Sequence, residues 1–123
     1  MRRKLLRTPY ELGGRQIGAG IDCLGVVLFV LEQRGEGIPD PWETLAQHYR
    51  QPGKSPGDAG FPEGWRRGDA PLRDGDVLLF FGEHHWSAIV HDGFVWSSHP
   101  SPGTWSRPLN RFSKTPQEVW RRC

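Results

Sequence analysis

Residues 18–34, GAGIDCLGVVLFVLEQR, constrain the fold more than any other part of the chain. A glycine-rich approach runs into Asp22 and Cys23, and residues 24–31 are apolar on nearly every side apart from Gly25. Asp22 is a good N-cap, and Glu32, Gln33, Arg34 and Gly35 form a polar stop, so the spacing predicts a helix beginning at the cysteine. A helix apolar all round belongs in the middle of a domain. Cys23 then stands where unpaired backbone N–H groups and the positive end of the macrodipole favour a thiolate. Alone, such a cysteine is more often a small buried hydrophobe, and only a matching base elsewhere makes it chemical.

At 123 residues the chain has room for one core, and a single domain over 1–123 is expected. The 16 glycines and 11 prolines describe a loop-rich fold whose centre the six Trp and six Phe can fill. A formal net charge of +2 gives no field that calls for nucleic acid as partner. Basic residues cluster at 1–7, 65–67 and 120–123, which fits solvated ends. The two cysteines, Cys23 and Cys123, make no disulfide framework. MRRKLL lacks the apolar region a secretory signal requires, and no stretch is long enough to insert in a membrane, so the expectation is cytoplasmic synthesis.

Residues 7–14, RTPYELGG, read as an extended or turn segment because Pro9 restricts its neighbour and Gly13–Gly14 break a helix. Residues 42–50 read as a second helix capped by Asp40, with Trp42, Leu45, Ala46 and Tyr49 turned inward. Residues 51–73 carry five glycines and four prolines and read as a long loop, a candidate lid or specificity element. The runs 76–81, 85–91 and 94–98 are β-prone and separated by turn residues, which predicts an antiparallel meander packed on the helix, an α+β arrangement. A further strand is expected within 106–112, and 118–121 fits a strand or a helical turn.

In the strand 85–91, alternation puts His85, Ser87, Ile89 and His91 on one face and Trp86, Ala88 and Val90 on the other. If the first face packs on the central helix, His85 reaches toward Cys23 and forms a thiolate–imidazolium pair. Such a pair at a helix start brings a thiol from about 8.5 into the range of about 3.5–7.5. The imidazole needs a polar acceptor on its second nitrogen, and the next strand offers Ser97 and His99. His84, His91 and His48 read as surface or edge residues. A zinc site built on the histidines finds no supporting spacing, and no glycine-rich phosphate loop follows a strand.

With these residues in view the chain resembles the NlpC/P60 cysteine peptidases, papain-like hydrolases of bacterial cell-wall peptides. TPYELGG followed by GIDCLG is similar to the family's PYxxGG…DCSG signature, with Leu24 where a serine is usual. LRDGDVLLFF is similar to its PGDLVFF strand, and HWSAIVHDG to its HVGIYLGNG. VWSSHPSPG resembles the segment that holds the third polar residue; strict spacing puts Ser97 there, and His99 stands two positions on.

The resemblance implies a papain-like NlpC/P60 fold, Cys23 as nucleophile, His85 as base, Ser97 or His99 as orienter, and Tyr10 and Asp22 on the substrate side. It implies hydrolysis of an amide in the peptidoglycan stem peptide, usually between D-γ-glutamate and diaminopimelate, with no metal or organic cofactor. It also implies association with phage tail proteins, whose particle would carry the chain to the wall. The rival expectation is a non-catalytic tail-assembly or peptide-binding module that keeps the fold.

Overall fold

The computed structural model describes residues 2–49, 51, 53, 55–82 and 84–123. Among them the chain is a mixed α+β protein, with helices α1 (Arg2–Leu6), α2 (Cys23–Gln33), α3 (Trp42–Tyr49) and α4 (Pro56–Gly60). Its strands are β1 (Arg15–Gln16), β2 (Gly20–Ile21), β3 (Trp65–Arg67), β4 (Val77–Phe81), β5 (His85–His91), β6 (Phe94–His99), β7 (Gly103–Pro108) and β8 (Glu118–Arg122). The first two make a small ribbon, and the other six make one antiparallel sheet in the order β3-β8-β4-β5-β6-β7.

The central helix starts where its sequence says it should. Asp22 has extended backbone and its Oδ1 accepts the Gly25 N–H at 2.8 Å, closing the first turn of α2. Leu24, Val26, Val27, Val30 and Leu31 are buried and join Val77, Leu79, Ile89 and Trp96 in the main core. Strand alternation therefore turns His85, Ser87 and Ile89 toward α2. The opposite face of the sheet carries a second, smaller core of Leu78, Phe80, Ala88, Val90 and Val95, rimmed by Trp86, Trp105 and Phe112.

The meander runs as expected, and the β5–β6 turn is the two-residue kind in which both residues have positive φ, Asp92 at 55° and Gly93 at 77°. Elsewhere the structure departs from the sequence reading. Residues 51–73 are not one loop: Ser55 caps α4, and Trp65–Arg67 pairs with β8 as the sheet's edge strand. The tail is a strand, and it lies between β3 and β4 rather than at an edge. Arg121 holds it there through both Asp76 oxygens, at 2.8 and 2.7 Å. The strand expected in 106–112 begins earlier and ends at Pro108, with a 3₁₀ turn after it. In α3 only Leu45 is fully buried and Trp42 is 46% exposed, so the inward face is narrower than expected. Arg50, the predicted last residue of that helix, lies outside the described residues.

Candidate active site

Two features of the chain place the thiol. The turn before α2 is tight: a side chain at Gly25 would sit 2.5 Å from the Gly14 carbonyl oxygen, and one at Gly14 would sit 2.5 Å from that of Gly20. The Asp22 carboxylate is then enclosed, accepting the Gly13 N–H at 2.9 Å and pairing with Arg15 at 2.7 Å. Asp22 is 5% exposed and all of these contacts are internal. The structure thus makes it a positioning residue for the helix start, and it does not stand on the substrate side as the resemblance implied.

Cys23, His85, Tyr10 and His99 line one cleft of about 400 Å³, together with His84, Trp86, Ser98, Pro100 and Lys114. Cys23 and His85 also border a small hollow of about 20 Å³, lined as well by Trp42, Leu45, Tyr49 and Ser87. His85 is exposed at the start of β5, and its ring stacks on Tyr49, centroids 4.6 Å apart. No hydrogen bond joins the imidazole to the sulfur in this state. The two side chains share the walls of both hollows.

The sheet opens beside the thiol. β5 and β6 pair only from Ile89–Trp96 to His91–Phe94, and below that point other groups serve Ser87. The Ser97 hydroxyl donates to the Ser87 carbonyl at 2.7 Å, and the Ser87 N–H and hydroxyl face the Cys23 sulfur. Ser87 Oγ is buried and makes no hydrogen bond of ordinary geometry in the free chain. Ser97 is itself fully buried, so its hydroxyl serves the strand junction and does not orient His85.

These surroundings set the thiol's acidity. Burial pushes the Cys23 thiol up from its ordinary value. The Ser87 N–H and hydroxyl and the Leu24 N–H oppose that, and the Asp22 carboxylate reinforces it. Burial wins, so the thiol's pKa is held above its ordinary value and not below it as the helix start alone would suggest. Burial, followed by the charges of Cys23 and Asp22, also pushes up the Tyr10 phenol, leaving it a neutral hydroxyl near the sulfur.

His99 lines the cleft, and its polar contact is with Trp105. Its Nδ1 accepts the indole N–H of Trp105 at 3.2 Å, and its ring meets Trp86 edge-on at 4.8 Å. Burial, then the Lys114 ammonium, hold its pKa below that of an ordinary imidazole.

The other histidines divide. His84, read from sequence as a solvent residue, stands in the cleft wall. His91 is within 3.2 Å of Arg34 at the far end of β5, and His48 bonds its own helix at the Thr44 carbonyl. Tyr49, His84 and Lys114 are the site residues that sequence reading missed. Only Tyr49 carried a usable signal, its place on the inward side of an amphipathic helix.

No protein-family model matches the chain, and no curated protein matches it. Among the described residues no helix is long and apolar enough to cross a membrane.

Proposed function

We propose that the chain is a cysteine peptidase of the papain-like NlpC/P60 kind, cutting an amide in the stem peptide of bacterial peptidoglycan. One observation carries the reading: the thiol at the head of the buried helix and the imidazole at the head of β5 line the same cleft. The substrate class rests on the resemblance of the motifs around Tyr10, Cys23 and His85, and the hydroxyl of Tyr10 fits the same picture.

The chemistry follows from a thiol that is not ionised in advance. As Cys23 Sγ attacks the scissile carbonyl carbon, its proton passes to His85, which acts as general base. The backbone N–H of Cys23, at the first turn of the helix, and the Tyr10 hydroxyl are the groups this reading assigns to the developing oxyanion. His85 then gives its proton to the departing amine as the C–N bond breaks, leaving a thioester. Water attacks that thioester, loses a proton to His85, and releases the acid with the thiol restored.

Purified muropeptides incubated with the protein and analysed by mass spectrometry test this. The expected result is two products whose masses sum to substrate plus one water with wild type, and none with Cys23→Ala. Equal turnover by the variant ends the reading.

The raised pKa of Cys23 favours a second reading, a peptide-binding or tail-assembly module that keeps the fold without the reaction. Binding of intact muropeptides by wild type and Cys23→Ala alike, with no cleavage by either, distinguishes it.

A further inference from the structure

The ring that sequence reasoning offered as an orienter for His85 is wired for a different task. An indole nitrogen can only donate, so the 3.2 Å contact from Trp105 requires a lone pair on His99 Nδ1. A neutral imidazole in that arrangement carries its hydrogen on Nε2. Orienting His85 calls for the reverse, a group that accepts from the catalytic ring's N–H.

We propose that His99 is a neutral hydrogen-bond donor of the cleft, its proton fixed on Nε2 by Trp105 and offered to an oxygen of the bound substrate. The identity of the substrate rests on the peptidase reading; the state of the ring does not.

Three further observations support the assignment. Trp105 is held in place: it pairs with Ser97 in the β6–β7 register, and its ring packs on Phe112 and Trp86 at 6.4 and 6.2 Å. Protonating His99 would set Nδ1–H against the indole N–H, breaking the contact. The titratable and charged groups around it are Tyr10, Cys23, His84, His85 and Lys114 in the cleft, and Arg107 with Lys114 in the adjoining groove of about 280 Å³. No carboxylate lines either hollow among the described residues, so nothing there favours an imidazolium. Lys114 adds a positive charge at the same mouth. A carboxylate oxygen is the substrate group that matches both the donor and the ammonium.

Long-range ¹H–¹⁵N correlation NMR on uniformly labelled protein, with His99 assigned by its loss in His99→Gln, reads the tautomer directly. The expected result is the Nε2–H form at pH 7, and a mixture of tautomers in Trp105→Phe. An Nδ1–H tautomer or an imidazolium at pH 7 overturns the proposal.

Kinetics on muropeptides supply the second arm. His99→Ala should lower kcat/KM by about tenfold or more, chiefly through KM, with the pH profile unmoved, and His99→Gln, which keeps an N–H donor, should recover most of it. A displaced pH profile in His99→Ala, or equal loss in both variants, overturns it. If wild type cleaves nothing, the peptidase reading fails and the NMR result alone decides His99.

Discussion

The Tyr49 ring lies nearly flat on the His85 imidazole, with centroids 4.6 Å apart and planes 20° from parallel. This contact joins the surface helix to the first residue of β5 and limits how the imidazole can turn. Burial pushes the Tyr49 hydroxyl far up, so it stays a neutral phenol. An aromatic pair of this kind contributes about 0.5–1.5 kcal/mol beyond its buried area. Tyr49→Phe should therefore keep turnover within about twofold, while Tyr49→Leu, which fills the space without a ring, should lower kcat by roughly threefold to tenfold. Steady-state hydrolysis of a defined muropeptide measures both.

Ser87 sets a trade between stability and reactivity. Its buried hydroxyl has no ordinary partner while Cys23 is a thiol, a state that costs about 1–3 kcal/mol, and it gains an acceptor once the sulfur is charged. Ser87→Ala should leave the melting temperature unchanged or higher. It should also move the midpoint of iodoacetamide labelling of Cys23 upward by about one unit, a tenfold slower reaction below it. Cys123, which is exposed, must be replaced by serine first. Because burial already raises the Cys23 pKa, labelling of the parent should still be climbing above pH ~8.5.

Asp22 is expected to matter through the fold. Removing its carboxylate leaves the N–H groups of Gly13 and Gly25 and the Arg15 guanidinium without their acceptor. Asp22→Ala should cost about 1–3 kcal/mol, a fall in melting temperature of roughly 4–12 °C by calorimetry for a chain of this size. Asp22→Asn, which keeps one acceptor oxygen, should lose less.

His99 gives a pH-dependent share of stability. Burial and Lys114 hold its folded-state pKa below the unfolded value near 6.5, so between those two values the unfolded chain binds the extra proton. Stability from this group is complete above pH ~6.5 and declines as pH falls through that window. Urea midpoints at pH 7.5 and 5.5 should drop more steeply for the parent than for His99→Gln.

Local signals explain how far the fold could be read from the sequence. Asp22 as cap, the apolar run after Cys23, the Asp92–Gly93 turn and the alternation of β5 all concern residues close in the chain, where cap chemistry and period speak for themselves. The place of β8 did not follow from its sequence, because it depends on Asp76 and Arg121, 45 positions apart, meeting in the sheet. Short elements such as α4 and β3 lay hidden among glycines and prolines, since Ser55 and the partner strand β8 fix them more than their own propensity does.

The same limit governs the site. Cys23 and His85 stand at the heads of their elements, as the cap and the alternation indicated, and this much was local information. The roles of Ser97 and His99 turned on which atom each bonds. Ser97 donates to the Ser87 carbonyl and His99 accepts from Trp105, and both partners come from contacts across the sheet that spacing does not encode.

Turnover of one muropeptide by wild type, Cys23→Ala, His85→Ala and the double variant tests the central claim most directly. Groups that act as a unit lose activity together, so each single variant and the double should fall to the same background. Losses that add, or a His85→Ala enzyme within tenfold of wild type, would contradict the pairing of thiol and imidazole.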